Sequence, residues 1–128
     1  MNAITFLRAE TDAILRKNAT AHGFVAGATH FRDVWARDAL FACWGALRAG
    51  MYDEVRRTLQ TLGQQVRNGQ VPLRYGRQSM RCVFLGLPTT IGPVYHNDKT
   101  NHAALDPNSL FLITLDRVHT VHTRPRSI

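Results

Sequence analysis

The stretch Leu47-Arg48-Ala49-Gly50-Met51-Tyr52-Asp53-Glu54-Val55 decides the fold class, because it interrupts two matching apolar stripes. Ahead of the break, Leu40, Trp44, Leu47 and Met51 recur at offsets of four, three and four. Behind it, Val55, Leu59, Leu62 and Val66 repeat that spacing. Each set falls on one face of an α-helix. Gly50 suits the left-handed residue that closes a helix, Asp53 suits an N-cap, and Glu54 is favourable in a first turn. A break this short folds two helices back antiparallel. Residues 36–67 therefore predict an αα-hairpin. Phe41 and Cys43 widen the first helix's apolar surface and suit an inner position, with Trp44 on the core stripe. Arg56, Arg57, Gln60, Gln64 and Arg67 suit an outer, half-wet second helix.

On the N-terminal side, residues 3–18 predict another helix, with Leu7, Thr11, Ile14 and Leu15 sharing a face. Phe24 to Phe31 reads equally as a strand or an extended loop, with Gly23 and Gly27 marking tight backbone. On the C-terminal side, residues 71–103 show no sustained period and are punctuated by Gly76, Gly86, Pro88, Gly92 and Pro93. That length suits a functional loop better than a connector. Arg81 to Leu85 is a candidate short strand within it. Asp106-Pro107 reads as an N-cap followed by proline at the first helical position. It opens a predicted helix over 107–118, and residues 119–128 read as a frayed tail. The fold class expected is all-α: antiparallel helical hairpins and a long irregular loop in a single domain or fragment, residues 1–128.

Composition narrows the function classes. The chain has 128 residues, 45% hydrophobic and 20% charged, as in a globular domain. No apolar run approaches the roughly 20 residues that cross a bilayer, so no membrane association is expected. Met1 to Phe6 lacks a basic region followed by an apolar block, so the cytoplasm is the default compartment. Net charge is +7, from 16 Lys and Arg against 9 Asp and Glu. That excess keeps one alternative in view: a small basic helical module that binds a protein partner or nucleic acid. The arginines are scattered, however, rather than gathered into a stripe, and nucleic acid is the weaker expectation. The six histidines give no recognised zinc spacing, Asp98 and Lys99 read as a solvated loop tip, and Cys43 reads as a buried thiol. No phosphate loop and no serine nucleophile elbow is present. Neither a metal nor a cofactor is expected.

The chemistry concentrates in Val34-Trp35-Ala36-Arg37-Asp38-Ala39-Leu40-Phe41. An aromatic, an arginine and an acid stand just before an apolar helical run. A carboxylate at a helix start is favoured by the positive end of the helix dipole. It can accept charge-assisted hydrogen bonds from sugar hydroxyls. Trp35 can offer a flat face to a pyranose ring, and Arg37 can orient Asp38 or bind a hydroxyl.

This stretch resembles the Trp-x-Arg-Asp motif of (α/α)6-barrel glycosidases, most closely the amylo-α-1,6-glucosidase or glycogen-debranching group. The order of the later features agrees: the glycine-ended helix, the Val71-Pro72 loop, and Ala104-Leu105-Asp106-Pro107-Asn108-Ser109-Leu110-Phe111. The resemblance covers residues of about 20–116. It implies a partial (α/α)6 toroid and a glycoside hydrolase acting on glucosidic bonds of an α-glucan or oligosaccharide. Trp35, Arg37 and Asp38 would bind the saccharide. Asp106 would be either another sugar ligand or a general acid. The ring implied is larger than this chain can build, so the chain is expected to be a fragment, inactive alone. Its exposed apolar faces are expected to self-associate.

Overall fold

A computed structural model describes residues 2–27, 29–77, 85–86, 91–96 and 105–124. In chain order the elements are helix α1 (Ala3–Asn18), strands β1 (Ala19–Thr20), β2 (Gly23–Phe24) and β3 (Val34–Trp35), helices α2 (Ala36–Arg48) and α3 (Tyr52–Gln64), strands β4 (Arg74–Arg77) and β5 (Ile91–Val94), and helix α4 (Asp106–Thr123). Among the described residues two antiparallel sheets accompany the helices: β1-β2, and a three-stranded sheet in the order β3-β4-β5. The all-α toroid of helical hairpins expected from the sequence is therefore incorrect, and the architecture is mixed α/β.

The physical reason lies in the strands themselves. β3 has two residues and runs straight into a helix. β4 is Arg74-Tyr75-Gly76-Arg77, and β5 is Ile91-Gly92-Pro93-Val94. Glycine and proline are poor strand formers, and segments this short cannot display an alternating period. Their pairing is non-local: Val34 faces Tyr75, Trp35 faces Arg74, and Gly76 faces Gly92. Among the described residues β5 lies at an edge of the sheet, where a proline is tolerated. The candidate strand at Arg81 to Leu85, the loop tip at Asp98 and Lys99, and Cys82 lie outside the described residues, apart from Leu85.

The helices organise the core. α2 buries Ala36, Ala39, Leu40, Cys43, Ala46 and Leu47, and α3 buries Val55, Thr58, Leu59 and Leu62. The alanines let neighbouring backbones approach closely. Between the two helices, Gly50 takes φ +76°. The Gly50 N–H donates to the Leu47 carbonyl, and the Met51 N–H donates to the Ala46 carbonyl at 2.9 Å. This is a Schellman closure, with Met51 buried as its apolar contact. Asp53 is not the N-cap: Met51 is, and Asp53 instead bonds Arg56 at 2.7 Å.

Two threonines fasten other elements to this pair. The buried Thr58 hydroxyl accepts the Phe24 N–H at 3.1 Å, joining β2 to α3. Gly23 is required there, because a Cβ would fall 2.6 Å from the Thr58 Oγ1 and the residue has φ +124°. On α4, the Thr114 hydroxyl accepts from Trp44 Nε1 at 2.9 Å. The Arg117 guanidinium lies 4.2 Å from the centre of the same Trp44 ring. Trp44 is thus half-buried between α2 and α4 rather than sealed in the core.

α4 runs past Val118 to Thr123. Thr120, His122 and Thr123 each donate a side-chain hydrogen bond to the carbonyl four residues earlier. None of the helices among the described residues is long and apolar enough to cross a membrane.

Candidate functional site

Two helix starts meet at one cleft. The N-termini of α2 and α4 bring Trp35, Arg37, Asp38, Asp106 and Pro107 together with Leu73, around a cavity of about 210 Å³. The chain entering β4 sets α2 in place: the Ala36 N–H donates to the carbonyl of Leu73, the residue just before that strand, at 3.0 Å, so a first-turn donor is satisfied. Trp35 is the N-cap residue, but its side chain makes no capping bond. Its ring faces Phe31 edge-on and carries the Arg74 guanidinium over it. The indole nitrogen is buried, with no hydrogen-bond partner among the described residues.

Asp38 is the third residue of α2, not its cap. It is exposed in the first turn, where the helix dipole favours a negative charge. Its carboxylate accepts no hydrogen bond among the described residues. Asp106 is likewise not a cap: Leu105 holds that position, and Asp106 begins the helix. Its carboxylate pairs with Arg37 Nε. That hydrogen bond and the charge behind it push the Arg37 pKa above its ordinary value, with a smaller contribution from Asp38. The pair is exposed, so it contributes little to stability. Its effect is geometric, joining two helix starts that are distant in sequence.

Asn108, in the first turn of α4, ties that helix to the chain ahead of β4. Its side chain accepts the Val71 N–H at 2.8 Å and donates to the Gly69 carbonyl at 3.0 Å. It thereby holds a two-residue turn in which Asn68 and Gly69 have φ +51° and +72°. Both signs suit a type I′ hairpin turn, and Arg67 and Gln70 exchange the flanking hydrogen bonds.

Residues 3–86 match the family described as amylo-alpha-1,6-glucosidase. The chain belongs to that family. The matched segment contains Trp35, Arg37 and Asp38 and ends before Asp106. No curated protein and no solved structure matches the chain. Membership places it among glycoside hydrolase-related domains.

Three side chains that tie together the segments around the cleft escape a reading of the sequence: Asp33, Arg74 and Asn108. Asp33 and Arg74 bond each other at 3.1 Å across 41 residues. A clue existed for Asp33, which stands directly before Val34 and Trp35. Nothing marks Arg74 among the chain's many arginines. Among the described residues, no group of three or more His, Cys, Asp or Glu stands close enough to hold a metal ion.

Proposed function

We propose that the cleft at the starts of α2 and α4 binds a glucose unit of an α-glucan or related oligosaccharide, as the substrate-binding part of a glycoside hydrolase. The carrying observation is that Trp35, Arg37, Asp38 and Asp106 line one cleft although Asp106 lies far along the chain. In this reading Asp38 accepts hydrogen bonds from sugar hydroxyls and Trp35 is the apolar wall. Arg37 holds Asp106 and contributes a donor to the rim. Family membership supports a saccharide as the ligand class.

Hydrolysis asks for more than binding. A glycosidic bond is cleaved between two carboxyl groups, one of which must be able to give up a proton to the leaving oxygen. Paired with Arg37, Asp106 is arranged as an acceptor, which favours its role as a sugar ligand over that of general acid. On this reading the chain alone binds saccharide without turning it over.

Titration with maltose, followed by tryptophan fluorescence, tests the reading. A saturable change is expected. Asp38→Ala should weaken it by roughly 10- to 100-fold, the worth of a hydrogen bond to a charged group. Absence of any saturable response to maltose or to an α-1,6-linked glucose disaccharide would sink the proposal. Turnover of either sugar by the isolated chain would show that the catalytic groups have been misassigned.

A further inference from the structure

Antiparallel pairing of β3 with β4 sets Arg74 directly opposite Trp35. The guanidinium carbon of Arg74 stands over the Trp35 ring, 5.7 Å from its centre. An arginine free to swing would give the ring no support, but this one is fastened. Its Nη1 donates to Asp33 Oδ2 at 3.1 Å and to the Arg77 carbonyl at 2.6 Å. Only 13% of its side chain is exposed.

Asp33 is held in turn. Its Oδ1 accepts the Arg77 N–H at 3.3 Å. The same oxygen lies 2.1 Å from where a Cβ on Gly76 would stand. Gly76 is therefore glycine because the Asp33 carboxylate occupies that space. Neither Asp33 nor Arg74 lines the cleft; Trp35 does. The charge is mostly shielded from water, the condition under which a cation over an aromatic face is most effective.

We propose that Asp33 and Arg74 are positioning residues that lock the Trp35 ring as a rigid wall of the cleft, and so set its affinity for a stacked pyranose. The affinity clause rests on the sugar-binding reading above; the locking of the ring does not. A wall held in place before binding lowers the ordering cost that a ligand must overcome.

Fluorotryptophan incorporated into the full chain gives two fluorine NMR signals, from Trp35 and Trp44, assigned with Trp35→Phe. In Arg74→Met and in Asp33→Asn the Trp35 signal should shift and broaden while the Trp44 signal stays put. Arg74→Lys keeps the charge without the fork and should fall between. Maltose affinity should drop by roughly 2- to 30-fold in the first two variants. A Trp35 signal unchanged in both variants overturns the proposal, as does one that moves only together with Trp44. If the unmodified chain binds no maltose, the sugar reading fails while the fluorine signals still decide whether the ring is locked. If the Trp35 signal stays still while maltose affinity falls, the locking fails and the sugar reading stands.

Discussion

Helix α1 and the α2–α3 hairpin carry the same kind of apolar stripe and meet opposite fates. α2 and α3 close over Leu40, Leu47, Val55 and Leu62, all buried. α1 buries none of its residues: Ile4 is 70% exposed and Leu7 61%, and only Leu15 packs against the core. Both are well-formed helices. α1 has a sound N-cap, with Asn2 accepting the Thr5 N–H at 2.9 Å, and basic residues in its last turn. An amphipathic stripe therefore states which face favours burial, not whether a partner is present to bury it.

Four measurements can break or sharpen that contrast. The largest effect belongs to the hairpin: Leu62→Ala should cost about 2–5 kcal/mol in urea unfolding, because it empties a fully enclosed site. A loss below about 1 kcal/mol would mean that the hairpin core is as loosely held as α1.

The next effect uses Cys43, in the middle of the hairpin core. Burial pushes its thiol pKa from 9.0 up to about 12, against a smaller opposing effect from a hydrogen bond with Thr58. The unfolded chain loses this proton near pH 9 while the folded chain keeps it. The folded state then binds more protons, so stability falls as pH rises from 9 toward 12. The part due to this thiol should be about 1 kcal/mol at pH 10, read as the difference between the unmodified chain and Cys43→Ala in otherwise identical denaturation curves. Parallel pH profiles for the two would show the thiol to be accessible to water.

The smallest effect lies on α1. Leu7→Ala should change stability by no more than about 0.5 kcal/mol. If the exposed face drives self-association, Ile4→Ser together with Leu7→Ser should lower the sedimentation coefficient at high concentration. A large destabilisation by Leu7→Ala would place α1 in the cooperative core and remove the contrast.

The same division between local and distant information separates what could be read in advance from what could not. The offsets in α2 and α3, and Gly50 between them, report burial within a few residues of chain. The strands escaped because Arg74, Gly76, Gly92 and Pro93 have the wrong intrinsic preference, and only pairing with distant partners makes them strands. At the cleft, Trp35, Arg37 and Asp38 announced themselves by chemistry and by standing at a helix start. Asp106 announced itself as a cap through Pro107, yet its carboxylate turned to Arg37, 69 residues away. A hydrogen-bonding side chain near a helix start has two outlets, its own backbone or a neighbour, and its immediate sequence does not choose between them.

By itself the sequence determined where α2 closes, through the spacing of nearby residues, and its ordered motifs carried the resemblance to the family that the chain belongs to. The tertiary structure alone decided that sheets accompany the helices, that α1 stays uncovered, and that Arg37 meets Asp106 while Arg74 backs Trp35. Those outcomes depend on contacts between residues tens of positions apart. Their free energy exists only once the intervening chain has folded, so short-range spacing carries no trace of it.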